Sequence, residues 1–168
     1  RSERVPIMAF KDFGAGYGDL LAVLEKEGFF KFQSMPTTEM GISFASFEEY
    51  LKTLSRVSRE GVKRKFKKID RGVKIDMEIS GRLNGALDDV YLLYLQTEAR
   101  GDTQFEILPK RFFDAISDNM PVEAKYFLWR VNGKLVAFAL CLISGGHFVD
   151  YYLGLDYSVA HEYHLYFI

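Results

Sequence analysis

The chain has 168 residues, 48% of them hydrophobic and 15% aromatic, and its 22 Lys and Arg against 23 Asp and Glu leave a formal net charge of -1. That composition supports a substantial core and excludes a disordered segment, and the charge balance gives the molecule as a whole no pull towards nucleic acid or membrane. Neither a run of about 18 apolar residues nor a signal-peptide stretch after RSERVPIM is present, and the single cysteine, Cys141, suits a reducing compartment, so a cytoplasmic location is expected.

Arg4–Phe10 reads as a short buried strand and KDFGAGYG as a glycine-bearing loop. Asp19 to Glu27 carries Leu20, Leu21, Val23 and Leu24 on one stripe, which predicts a helix stopped at Gly28. FFKFQS and GISF read as strands on either side of the connector MPTTEM. Ser46 to Asp70 reads as one long helix, opened by a capping box of Ser46 and Glu49. Phe47, Leu51, Leu54, Phe66 and Ile69 fall on one face of it. Gly61 is its weak point, since glycine costs about 1 kcal/mol against alanine in a helix interior. Basic residues crowd its second half, where Lys63, Arg64, Lys65, Lys67 and Lys68 stand almost together. The charge is local although the total is near zero.

Val73–Ile79 alternates as a strand, Leu87–Arg100 is an amphipathic helix, and Pro109–Ser117 is another with proline near its first turn. KYFLWRV then predicts a strand, and Asn132-Gly133 a type I′ hairpin turn. KLVAFALCLIS is almost wholly apolar, the mark of a central strand covered on both faces. Gly145-Gly146 makes a second hairpin into HFVDYYLGL, and a helix is expected from near Val159, capped by Asp156 or Ser158. The closing HEYHLYFI has no terminator, and the start runs into core-like sequence, so a piece of a longer chain is expected.

From residue 72 the order is strand, helix, helix, three strands in a meander, and helix. That order resembles the first half of a GNAT acyltransferase domain. The stretches SFEEYLKTLSRVSREGVKRKFKK, LDDVYLLYLQTEARGDTQFEILPKRFF and FLWRVNGKLVAFALCLISGGHFVDYYLGLDYS resemble the second domain of the FemAB-like and BioF2-like predicted N-acyltransferases. Those proteins join two GNAT-like units through a basic helix. The resemblance implies an α/β (α+β) fold with a mixed, mainly antiparallel central sheet flanked by helices. It divides the chain into residues 1–45, closing a first unit, residues 46–71, the basic linking helix, and residues 72–168, the first half of a second unit; one composite compact domain is the alternative.

The activity so implied is transfer of an acyl or aminoacyl group, from acyl-CoA or aminoacyl-tRNA, to an amine. The rival is a non-catalytic binding module whose basic helix holds an anionic partner. In GNAT enzymes the acyl donor lies at the end of the fourth strand, which here points to Gly154, Leu155 and Ser158 as donor-binding residues. At that place the chain departs from the pattern. The usual basic or glutamine residue followed by glycines is replaced by GLDYSVAHEY, with one glycine and the acidic Asp156. A carboxylate there repels a pyrophosphate, which sets coenzyme A against the expectation, whereas an aminoacyl-tRNA donor needs no such loop. No covalently bound cofactor is expected.

Asp150, a carboxylate inside an apolar strand, is the candidate general base, with a solvent-facing position near an edge as the alternative. Alternation puts it on one face with Phe148, Tyr152 and Gly154. Tyr152 is the companion candidate as a proton donor, against the plainer role of a packing residue with a wet hydroxyl. His147, His161 and His164 lack the further ligands of a metal site, and none is expected. The run Lys63–Lys68 is either a solvated helix face or a patch for tRNA or anionic lipid. Finally, the apolar strand HFVDYYLGL would leave a bare sheet edge. Residues 4 to 34 are therefore expected to complete the sheet, within one chain or by strand exchange in a dimer.

Overall fold

The structure, a computed structural model, describes residues 8–10, 13–32, 38–70, 72–101 and 107–168. The chain divides into two compact units, Arg1–Ala45 and Ser46–Ile168.

In the first unit a 3-10 turn, Ala15–Tyr17, leads into helix α1, Gly18–Lys26. The apolar stripe ends where expected, at Gly28, which takes a left-handed φ of 91°. The strand expected at Arg4–Phe10 falls mostly outside the described residues, and Met8–Phe10 form none. Two further expectations are corrected. Phe29–Phe32 and Gly41–Phe44 are not strands, and Gln33 and Ser34, the end of the first expected strand, lie outside the described residues. Aromatic and β-branched residues favour a strand only where a neighbour pairs and packs with it; Phe30 and Phe32 instead remain 89% and 79% exposed.

The second unit begins with a correction of the same kind. The single long helix is two, α2 (Phe47–Thr53) and α3 (Arg56–Asp70). Ser46 caps α2 by accepting from the Glu49 N–H at 3.2 Å. Leu54 then turns extended, with ψ at 153°. Ser55 accepts from the Ser58 N–H at 3.1 Å and starts the next helix as a second cap. Gly61 stays inside α3 without breaking it. The rings of Phe47 and Phe66 meet edge to face at 5.2 Å and hold the two helices together.

Strands β1 (Asp76–Ser80), β2 (Ala124–Val131), β3 (Lys134–Ser144) and β4 (His147–Leu155) form one antiparallel sheet in the order β1-β2-β3-β4. Asn132 and Gly133 both take positive φ, 50° and 80°, as a type I′ turn requires. The Gly145-Gly146 turn does the same at 56° and 78°. β3 is an interior strand, buried from Leu135 to Cys141 apart from the half-buried Ala139 and open at Ile143 and Ser144.

Helices α4 (Leu87–Glu98) and α5 (Lys110–Asn119) cover one face of the sheet. Pro109 stands just before α5 in extended backbone, as its N-cap rather than in its first turn. Phe113 and Tyr126 meet in the core there, both fully buried, and the Tyr126 hydroxyl donates to the Phe113 carbonyl at 2.9 Å. Burial raises that phenol above its ordinary value.

The other face is covered at one end only. The helix expected from Val159 is replaced by consecutive turns and a 3-10 segment, Leu165–Phe167. Tyr163 N–H donates to the Val159 carbonyl and Leu165 N–H to that of Ala160, with His164 left-handed at φ 55° between them. Ala160 and Leu165 pack against Val136, Ala137 and Leu155. Beyond them Met77, Ile79, Phe148 and Leu153 lie exposed. Among the described residues the sheet has these four strands and β4 is an edge, so the completion expected from residues 4 to 34 is not seen in them.

Candidate functional site

β4 is not a uniform strand. Its partners on β3 run Leu140 to Tyr152 and then Cys141 to Asp150, so Tyr151 is an extra residue, a bulge. One extra residue exchanges faces for everything before it. The expected grouping of Phe148, Asp150, Tyr152 and Gly154 on one face is therefore wrong. Tyr152 and Gly154 oppose Leu140 and Phe138 on the helix-covered side. Asp150 opposes Cys141, and Phe148 stands with it on the other face, its ring 6.1 Å from that of Phe127.

Asp150 is exposed, yet the apolar surroundings still raise its carboxyl above the ordinary value. Its Oδ1 lies 4.0 Å from the Cys141 sulfur. Burial, helped by the nearby carboxylate, pushes that thiol up to about 12, so Cys141 stays protonated and unreactive at neutral pH. The Tyr152 ring points inward, edge to face with Tyr94, Phe112 and Phe113 at 5.8 to 6.2 Å. Its body is core and its outer rim faces a cavity.

That cavity, about 370 Å³, lies between the last turn of α4 and the edge of β4. Thr97 and Glu98 line it from the helix, and Asp150, Tyr151, Tyr152 and Leu153 from the strand. The two catalytic candidates from the sequence thus share one wall although they belong to opposite faces of the sheet. The bulge makes this possible by turning the strand between them. Thr97 and Glu98 carried no sequence signal, since they reach the site from a helix more than fifty residues earlier in the chain.

The end of β4 is differently built. A Cβ added to Gly154 would lie 2.7 Å from the Leu93 carbonyl carbon and 2.8 Å from the Tyr94 nitrogen. The glycine is there to let α4 press on the strand. Leu155 N–H donates to Thr97 Oγ1 at 3.3 Å. Asp156 is buried and accepts from Lys134 Nζ at 2.7 Å, and from Ser158 through its N–H at 3.1 Å and its hydroxyl at 2.5 Å. Burial works to raise this carboxyl, but the hydrogen bonds and charge of Lys134 and Ser158 together hold it below the ordinary carboxylate value. Asp156 is thus a neutralised turn-former rather than a free charge. Gly154, Leu155 and Ser158, the three residues placed at the donor site, are engaged with the chain itself, and none lines the cavity.

Lys63 to Lys68 sit on α3, all exposed. Arg64, Lys65 and Lys68 line a second cavity of about 230 Å³ together with His164 and Phe167, while Lys63 and Lys67 face elsewhere. His164 and His161 stand with rings 6.4 Å apart. Among the described residues no group of three His, Cys, Asp or Glu side chains could hold a metal ion, and no helix is long and apolar enough to cross a membrane.

The sequence model of the FemAB-like family, described as peptidoglycan biosynthesis/recognition, matches residues 18–165, most of the chain. No curated protein matches it.

Proposed function

The chain belongs to the FemAB-like family, and from that premise we propose that it forms part of an N-acyltransferase that passes an acyl or aminoacyl group to an amine. The family's description points the acceptor towards an amine of a peptidoglycan-type peptide. The observation that carries the reading is the cavity beside β4, where Asp150 holds a raised carboxyl at the margin of the sheet.

The chemistry asks little more of the chain. The acceptor nitrogen attacks the ester carbonyl carbon of the donor, and a C–N bond forms. Asp150 takes the proton the nitrogen sheds. The C–O bond to the leaving group then breaks, and the leaving oxygen takes the proton that Asp150 holds, which returns Asp150 to its carboxylate and leaves no charge accumulated. Outward N–H groups of the edge strand are suited to polarise the carbonyl oxygen. Tyr152, with its ring fixed in the aromatic core, serves as a wall that positions the reactants.

The donor we favour is an aminoacyl ester such as aminoacyl-tRNA rather than acyl-CoA. The close packing at Gly154 and the engagement of the Leu155 N–H by Thr97 support this choice, since a pyrophosphate at the strand end needs free backbone donors. The test is transfer of a labelled group, from aminoacyl-tRNA and separately from acetyl-CoA, to a peptide carrying a free amine. Asp150→Asn is expected to lower the rate roughly a hundredfold to ten-thousandfold, with unchanged thermal unfolding. A full rate in that variant removes Asp150 from the mechanism, and transfer from acetyl-CoA alone overturns the choice of donor.

A further inference from the structure

We propose that the cavity between α3 and the C-terminal turns is a binding site for a phosphate group. Arg64 and Lys68, four residues apart, stand one above the other on α3, with Lys65 beside them. His164 and Phe167 close the opposite wall. None of the three cations makes an ion pair among the described residues. In a chain of net charge -1, three unneutralised cations and an imidazole converge on one space.

A solvated helix face needs no opposite wall, and here one is built. His164 takes a left-handed backbone, φ 55° and ψ 36°, which side chains other than glycine seldom adopt. That single residue reverses the turns, with Phe167 N–H returning to the His164 carbonyl at 3.0 Å. Leu165, buried between them, anchors the reversal in the core. The Phe167 ring is then held 4.1 Å beneath the Lys65 ammonium, a cation–π contact that fixes the position of both.

Size and donor chemistry set the ligand class. At about 230 Å³ the cavity is smaller than the 300–1,000 Å³ usual for whole organic ligands, and suits a compact anionic group. A guanidinium grips two oxygens of one phosphate at once, and the flanking ammonium groups meet the others. A phosphate monoester or a diphosphate matches four donors better than a carboxylate, which offers only two oxygens. The inference stands apart from the transfer reading, since the two cavities share no residue.

Calorimetric titration of the chain with inorganic phosphate and with pyrophosphate, at fixed ionic strength, tests it. Saturable binding is expected. The double variant Arg64→Gln/Lys68→Gln should weaken it roughly tenfold or more, the loss of charge-assisted hydrogen bonds. Lys63→Gln/Lys67→Gln removes the same charge from the same helix outside the cavity, and should change affinity less than about twofold because only screened long-range attraction is lost. His164→Asn, which keeps a residue tolerant of the left-handed backbone, should weaken binding while circular dichroism stays unchanged. Equal losses in the two double variants, or no saturable binding by the wild type, overturn the site. So does binding to phosphatidylcholine vesicles carrying phosphatidic acid with none to either soluble ion.

Discussion

The two ends of β4 are written in similar residues, HFVD at the start and LGLD across the finish, but are held in opposite ways. At the finish Gly154, Leu155 and Asp156 are buried, pressed by α4, bonded to Thr97 and paired with Lys134. At the start His147 to Tyr151 are exposed, and in the middle a carboxylate faces a cavity. The resemblance sets Gly154 beside an acyl donor and Asp156 where its charge would repel one, and here both serve internal packing. The open cavity lies a few residues earlier, at the bulge.

The sharpest way to break this contrast is Gly154→Ala. The added methyl meets helix backbone that cannot rotate aside, so destabilisation of about 3 kcal/mol is expected, the upper range for overpacking, read from urea unfolding. A loss below about 0.5 kcal/mol, the range of ordinary surface changes, would mean that the strand end is loose after all. Next is Lys134→Met, which leaves the Asp156 carboxylate buried with Ser158 as its remaining partner. A loss of about 1.5–3 kcal/mol is expected, the scale of a hydrogen bond to a charged group. Because the folded protein lowers the Asp156 carboxyl, its contribution is present above the ordinary carboxylate value and fades as pH falls through the folded one. Acid unfolding curves should therefore be flatter for Lys134→Met than for the wild type.

At the open end the effects should be small. Phe148→Thr, on the exposed face, is expected to cost less than about 1 kcal/mol, because little apolar area is lost from a half-solvated ring. Asp150→Asn is the finest probe. Its carboxyl is raised in the folded protein, so the charged form disfavours folding at neutral pH. The variant should be as stable as the wild type or slightly more so at pH 7, within about 0.5 kcal/mol. Any advantage should vanish as pH falls below the ordinary carboxylate range, where Asp150 is neutral folded or unfolded. An advantage that grows in acid would reverse the sign argued here.

Elements specified by their own residues were legible. Asn132-Gly133, the interior strand Lys134–Ser144, the Ser46 cap and helix Leu87–Glu98 are each fixed by neighbours along the chain. Ser55 could have been read too, since a second serine placed to cap, three residues before Ser58 inside a helical run, is a signal of its own. The turns after Val159 could not, because Leu165 seeks the core formed by Val136, Ala137 and Leu155, and that demand overrides helical propensity. Asp150 and Tyr152 could be singled out in the sequence, but their arrangement on opposite faces could not. Alternation assumes one residue on β4 for each on β3, and nothing in FVDYYL announces the extra one. Thr97, Glu98, His164 and Phe167 were missed because only the folded chain brings them to their cavities.

The bulge at Tyr151 has a consequence for change in this chain. It works as a splice, dividing one strand into two lengths that are counted from different origins. The rear length is counted from the clamp on α4, and the front length from the Gly145-Gly146 turn. Residues gained or lost at that turn can be taken up by the front length alone, leaving Gly154 seated against the helix. The direction in which Asp150 points is therefore a local decision, open to revision by one residue at the splice without disturbing the core behind it.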